Sequence, residues 1–263
     1  MPNSEKNQWT RRCTPMNRQK IRLSIAVLMV FLFPASYYYF SPYLVLMGAA
    51  EGIIAGDVIA FAVLFVTSLF FGRAWCGWVC PAGATQELCS KVNSKSFNGR
   101  KRNLIKYFIW TPWIAFIVVM FVQAGGIKAV DPLYQTYYGI SVSDVISAVM
   151  FAAIAGAIAV FALVAGKRAA CHTICWMAPF VIIGTRIKDA LGYPSLHLIA
   201  DKTRCVQCQE CSKNCPMSLD VHEMVQNSSM ANTECILCGT CVDTCPRKVI
   251  KYSFNSPSQN KAQ

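Results

Sequence analysis

Cys205-Val206-Gln207-Cys208-Gln209-Glu210-Cys211-Ser212-Lys213-Asn214-Cys215-Pro216 recurs thirty residues later as Cys235-Ile236-Leu237-Cys238-Gly239-Thr240-Cys241-Val242-Asp243-Thr244-Cys245-Pro246. Both runs read C-x2-C-x2-C-x3-C-P, the spacing that holds cubane iron–sulfur clusters. Three thiolates on one tight loop wrap three corners of a cubane, and the fourth ligand comes from the other run. This assigns Cys205, Cys208, Cys211 and Cys245 to one cluster, and Cys235, Cys238, Cys241 and Cys215 to the other. Gly239 lets the backbone approach a cluster and turn amides toward its sulfurs. Pro216 and Pro246 fix the chain after each fourth cysteine. A four-cysteine zinc site is the competing reading, but zinc ribbons use isolated C-x2-C pairs rather than a doubled four-cysteine run. Free thiolates in this segment imply a reducing compartment.

Residues 200–254 are thus a polar, cysteine-rich module, expected as a small α+β unit that resembles a two-cluster bacterial ferredoxin domain. Upstream the composition differs. The chain has 263 residues, 54% hydrophobic and only 14% charged, with a mean hydropathy of +0.37. Soluble proteins average about 25% charged residues, so a water-soluble globule is a poor fit and intrinsic disorder is excluded. Four apolar stretches, near 23–43, 53–71, 104–123 and 145–166, approach the roughly 20 residues that a span requires. The first is too long for the core of a cleavable signal and further stretches follow it. The expected fold is an all-α membrane bundle, a four-helix transmembrane domain over 23–184, joined to the C-terminal module. Within it, 171–184 is apolar but too short to span, and is expected to lie on or dip into the inner interface. Residues 255–263 read as a disordered tail.

The net charge is +12, from 25 Lys+Arg against 13 Asp+Glu. Six of the cations fall in 1–22, seven in 73–106 and eleven in 167–263, against one, Lys128, in 128–144. By the positive-inside rule, an even number of spans places both termini and the module on the cytoplasmic side of the inner membrane. The basic N-terminus 1–22 is then a retained flank, with a twin-arginine export signal at Arg11-Arg12 as the alternative. Glu51, Asp57, Asp131 and Asp144 fall at the outer face. Tyr37, Tyr38, Tyr39, Tyr134, Tyr137 and Tyr138 are expected there as an aromatic belt. The basic residues track loops beside the membrane, which fits contact with anionic lipid and not a nucleic-acid patch. His172, His197 and His222 lie outside the apolar stretches, which argues against a bis-His haem in the bundle.

A second repeat has a period of 95. Gly72-Arg73-Ala74-Trp75-Cys76-Gly77-Trp78-Val79-Cys80-Pro81 follows the second apolar stretch, and Lys167-Arg168-Ala169-Ala170-Cys171-His172-Thr173-Ile174-Cys175-Trp176 follows the fourth. Residues four apart share a helix face, so each C-x3-C pair points both sulfurs at one object. The repeat implies two similar two-helix halves that bring Cys76, Cys80, Cys171 and Cys175 together. Three readings of that quartet stand side by side: ligands of a further metal centre, redox-active thiols made reactive by a basic and partly exposed setting, or small buried hydrophobes. Cys13 and Cys89 have no partner pattern. Trp75, Trp78 and Trp176 read first as interfacial anchors.

Paired apolar stretches, two interfacial C-x3-C motifs and a two-cluster module together resemble the NapH-type membrane ferredoxins, and are similar to the membrane half of NosR-like proteins. The block Arg73-Ala74-Trp75-Cys76-Gly77-Trp78-Val79-Cys80-Pro81 carries the resemblance most closely, which extends over about residues 20–252. The second motif departs from it, since its proline is delayed to Pro179. The resemblance implies a membrane-bound iron–sulfur protein that relays electrons between the quinone pool and a redox protein partner in a multi-subunit system. As an enzyme it would be a quinol dehydrogenase or an electron-transfer subunit. The alternative is an assembly or maturation factor that reduces a metal or disulfide for a partner oxidoreductase. Glu51 and Asp57 are the acids nearest a span and hence the candidates for handling quinol protons. His222 reads equally as a solvated helix position or as a ligand.

Overall fold

The computed structural model describes residues 17–99 and 101–256. Arg11-Arg12, Cys13 and the tail beyond Ser256 lie outside the described residues. Three long apolar helices dominate: α1 (Asn17–Ser36), α6 (Ile105–Gln123) and α7 (Val145–Ala165). Each is long and apolar enough to cross a membrane, and each is little buried within the protein. Phe31, Phe108 and Val164 are more than 70% exposed, an apolar exterior that fits lipid rather than water. Asp144 starts α7 with a reciprocal capping box to Ser147, which satisfies amides that the first turn leaves free.

The first two apolar stretches depart from expectation. Helix α1 stops at Ser36, well before residue 43. Ser41 then caps a separate helix, α2 (Pro42–Glu51), accepting from the amides of Tyr43 and Leu44. Proline has no amide to continue a helix but suits its first turn, so Pro42 breaks the run and restarts it. Gly52, in a left-handed conformation at φ 78°, closes α2. Residues Ile53–Ala55 form strand β1, paired in parallel with β2 (Ala129–Asp131). That pairing takes three residues out of the second stretch, so helix α3 (Gly56–Phe71) has 16 residues. At 1.5 Å per residue it reaches about 24 Å, short of the roughly 30 Å hydrocarbon core. The tyrosine belt is also divided: Tyr37 and Tyr134 are buried, whereas Tyr137 and Tyr138 are exposed.

Beyond α3 and α7 the chain builds two matching devices. A five-residue helix α4 (Ala74–Trp78) leads into α5 (Pro81–Cys89), and a five-residue helix α8 (Ala169–Thr173) leads into α9 (Ala178–Leu191). Helices α4 and α8 sit at the 95-residue offset of the sequence repeat. Helix α9 runs alongside α3 in the same direction. Phe180 stacks on Phe61 at 5.4 Å, Gly184 faces Ser68, and Tyr193 Oη donates to the Leu69 carbonyl. It therefore begins beside the second turn of α3. Helix α5 behaves likewise: Cys80 at its start packs with Val45, Phe61 and Leu64, while Glu87 near its end pairs with Arg22 of α1.

The cysteine-rich module closes with β3 (His197–Ala200) antiparallel to β4 (Ile250–Ser253), and between them come α10 (Glu210–Lys213), α11 (Val221–Gln226) and α12 (Thr240–Thr244). It sits directly on α4. A Cβ on Gly77 would come within 2.3 Å of the Ile236 carbonyl, so only glycine permits this approach. Trp78 Nε1 donates to Leu237 O at 3.1 Å, Gln19 Nε2 donates to Cys238 O at 3.1 Å, and Arg18 pairs with Asp243.

Candidate metal centres

In the module, the eight cysteines divide between two cavities. One is lined by Cys205, Cys208, Cys211 and Cys245, the other by Cys235, Cys238, Cys241 and Cys215. Each run thus contributes three sulfurs to one cavity and its last sulfur to the other. The wrap requires left-handed backbone at equivalent positions of both runs: Gln207 and Gln209 in the first, Leu237 and Gly239 in the second. Gln209 shows that the turn itself does not demand glycine. Gly239 is needed because a Cβ there would meet Tyr252 Oη at 2.6 Å, and that hydroxyl donates to Leu237 O. Burial pushes the Cys235 thiol up to about 12 and Cys215 to about 11, so thiolates here need positive charge at contact distance. Among the described residues, no three His, Cys, Asp or Glu side chains converge closely enough for a single ion. The sulfurs surround a volume instead of a point, as a polynuclear cluster requires. His222 lines the first cavity with its buried Nε2 unpartnered, which corrects its reading as a solvated position.

The C-x3-C cysteines form a second constellation, deeper in the bundle. Cys76 lies on α4, Cys171 on α8, and Cys80 and Cys175 precede α5 and α9; all four are free thiols. Cys76 and Cys171 share one apolar cluster with Cys238 of the module, and Trp75 bridges it to a second cluster that holds Cys80 and Cys175. The Gly83 amide donates to Cys80 Sγ at 3.4 Å, and the Ala178 amide hydrogen-bonds the Cys175 sulfur. These donors stand three residues after their cysteines, again 95 apart. Gln86 joins the two motifs: its Nε2 donates to Cys171 Sγ at 3.2 Å while its Oε1 accepts from the Ala170 amide at 3.0 Å. Burial, reinforced by the neighbouring sulfurs, pushes Cys175 to about 12 and Cys80 well above the ordinary thiol range. Of the three readings of the quartet, the reactive thiol in a partly exposed setting fits least, since Cys80 and Cys171 are each only 7% exposed.

Two buried ion-pair networks flank the quartet. Arg22 and Arg168 both bind Glu87, Arg168 through Nη2 at 2.6 Å, while Arg168 Nη1 donates to the Cys76 carbonyl at 2.6 Å. Arg73 and Lys106 both bind Glu234, at 2.7 and 2.5 Å. Burial opposes ionisation of Glu87, but Arg168 and Arg22 outweigh it and hold the carboxyl at about 2. His172 Nε2 donates to Met217 O at 3.1 Å, its Nδ1 lies 2.7 Å from Asn103 Oδ1, and burial lowers it to about 4. Arg73 and Arg168 each stand three residues before the first cysteine of their motif, a signal the repeat itself carries. Glu87, Glu234 and Gln86 carried none. The tryptophans are half-buried: Trp176 Nε1 donates to Phe40 O at 2.9 Å, and Trp75 Nε1 is buried without a partner. Of the two acids considered for protons, Glu51 is exposed, whereas Asp57 is fully buried, with Oδ1 on the Val58 amide and Oδ2 unpartnered.

Residues 58–102 match the family described as "4Fe-4S binding domain", and residues 204–250 match the "4Fe-4S dicluster domain". The chain carries two iron–sulfur binding domains. The first of these includes Cys76 and Cys80. The chain is similar to YccM of Escherichia coli strain K12, named as an electron transport protein, with 25% identity over 83% of the chain, and it spans 62% of that relative's length. It is also similar to the uncharacterized proteins MJ0749 and MJ0750 of Methanocaldococcus jannaschii, at 22% and 25% identity over 70% and 64% of the chain, and it covers 69% of each. No solved structure matches.

Proposed function

We propose that this chain is a membrane-anchored iron–sulfur electron carrier that relays electrons between the quinone pool and a redox protein partner. The observation that carries the reading is the division of eight cysteines between two cavities, three from one run and one from the other. Cys205, Cys208, Cys211 and Cys245 would hold one 4Fe-4S cluster, and Cys235, Cys238, Cys241 and Cys215 the second. When bound, each cluster supplies a one-electron couple. The protein's own groups keep water from the sulfurs: Leu198, Met217 and Ile236 surround the second cavity and Val225, Val249 and Ile250 the first. The module rests on α4 through Gly77 and Trp78, which brings the second cavity next to the membrane helices. The relative named for electron transport supports this role.

The membrane half is proposed as four crossing helices, α1, α3, α6 and α7, in two similar halves, with α2, α5 and α9 as half-helices between them. The Lys and Arg distribution supports putting the module at the cytoplasmic face of the inner membrane. The test is anaerobic purification of the full chain, with iron and acid-labile sulfide counted and EPR recorded after addition of a short-chain quinol. The reading expects at least about eight irons per chain and signals that grow on quinol addition. Iron-free protein, or clusters that no quinol reduces and no quinone oxidises, would overturn it. Protease added to intact cells should leave the module uncut.

A further inference from the structure

Three N–H groups around the C-x3-C quartet are buried and have no acceptor: Arg73 Nε, Arg168 Nε and Trp75 Nε1. Arg73 is 1% exposed and Arg168 2%. Leaving a buried donor unpaired costs about 1–3 kcal/mol, and three around one spot point to an absent acceptor. Each guanidinium lies within electrostatic reach of Cys171, and Arg73 also of Cys76. Trp75 packs against both apolar clusters that contain the four cysteines. The missing acceptor therefore belongs between the sulfurs.

Its charge follows from the ion pairs. Arg22 and Arg168 share Glu87, and Arg73 and Lys106 share Glu234. Among the described residues, each network leaves one positive charge without a counter-ion in a buried site, where unpaired charge is expensive. Two surplus cations call for an anion of about two charges. A cubane held by four thiolates carries about −2 in its oxidised form. The half-helices add to this: α5 has nine residues and α9 fourteen, and both turn their N-termini, the positive ends of their dipoles, toward the quartet. A single metal ion fits less well, because here too no three ligands converge on one point. Thiol–disulfide exchange also fits poorly, since Cys76, Cys80 and Cys171 are buried and out of a partner's reach.

Resting on the iron–sulfur reading above, we propose that Cys76, Cys80, Cys171 and Cys175 hold a third cluster of the 4Fe-4S class inside the bundle, with Arg73, Arg168 and Trp75 donating N–H bonds to its sulfurs. Those three are positioning residues: they offset the cluster's charge and favour the form that carries one more electron. The site lies against the second cavity of the module, because Cys76 and Cys171 pack in one buried cluster with Cys238, which lines that cavity. It is therefore the step between the module and the membrane interior.

Iron and acid-labile sulfide are counted on the anaerobic full-length protein, and spins are integrated after dithionite reduction. The proposal expects about twelve irons and about three spins per chain. About eight irons and two spins would overturn it while leaving the carrier reading intact; about four or none would overturn both. Cys171→Ser should lose about a third of the iron and keep the module's two EPR signals. Should that variant fail to fold, Trp75→Phe serves instead. It should retain full iron, and the third signal should titrate at a lower potential. An unmoved potential would overturn the donor role of Trp75.

Discussion

The module and the quartet both gather cysteines, but they gather them by different means. In the module each cavity takes three sulfurs from one loop, and the shape of that loop is set by local backbone, with left-handed residues at 207, 209, 237 and 239. In the bundle the quartet comes from two motifs 95 residues apart, and side chains from elsewhere hold them together: Gln86 bridges to Cys171 and Ala170, Glu87 grips Arg22 and Arg168, and Glu234 grips Arg73 and Lys106. A site built from local backbone is written in consecutive residues. A site built from distant ion pairs depends on groups that no spacing rule marks. Substitutions should therefore act on single ligands in the module and on supporting charges in the bundle.

The largest contrast is in ligand loss. Cys235→Ser and Cys215→Ser should each remove about four irons and abolish the same EPR signal, although they lie in different runs. Cys205→Ser and Cys245→Ser should abolish the other signal. If Cys215→Ser instead removed the signal that Cys205→Ser removes, the interlaced assignment would be wrong and each run would serve its own cluster.

The next effect falls on the bundle. Glu87→Gln leaves two buried arginines with no carboxylate, and breaking a buried pair in this way costs roughly 3–5 kcal/mol. Melting of the detergent-solubilised protein should drop by several degrees. The module's two EPR signals should survive, because its cavities do not touch Glu87. Glu234→Gln should destabilise by a similar amount but loosen the module from α4 as well, since Glu234 is the module's only carboxylate in these two networks. Loss of module signals in Glu87→Gln would show that the two regions are not independent.

Legibility in the sequence divides along the same line. The doubled cysteine run marks all eight cysteines that line the two cavities. The three long helices were also plain, since 18-residue apolar windows need no tertiary context. The break at Ser41-Pro42 is masked by the apolar run on either side of it, although Pro42 is its local mark. Strand β1 was missed because its partner, Ala129–Asp131, is 76 positions away in register and nothing local marks it. Around the quartet, the repeat marked Cys76, Cys80, Cys171 and Cys175. Their buried state depends on how deep α5 and α9 begin, and that is set by packing such as Phe61 on Phe180.

Two glycines sharpen the comparison at smaller cost. Gly77→Ala places a methyl 2.3 Å from the Ile236 carbonyl, backbone against backbone. The module must shift, at a cost of about 1–3 kcal/mol, and electron exchange between module and bundle should slow while both module signals remain. Gly239→Ala meets a side chain instead, the Tyr252 hydroxyl at 2.6 Å and its ring edge at 3.2 Å, although its φ of 75° adds strain. Tyr252→Phe in the same chain should recover part of the lost stability. Recovery by that change in Gly77→Ala as well would mean the damage there is general and not a matter of docking.

The smallest effect is a pH dependence carried by Glu87. Its carboxyl sits at about 2 in the folded protein against an ordinary value of 4.5. The folded state thus holds the anion and gains stability that is fully present above about pH 4.5 and fades as the pH falls toward 2. Acid also attacks clusters, so the wild type alone cannot report this. The difference in unfolding free energy between wild type and Glu87→Gln can, because cluster loss is common to both where the module is intact. From pH 5.5 to pH 3.5 that difference should shrink by about 1.4 kcal/mol, the value of one pKa unit. A gap that stays constant across this range would mean that Glu87 is not held ionised by Arg22 and Arg168. The positive charge they leave would then be larger than the one surplus cation per network on which the argument for an anionic centre rests.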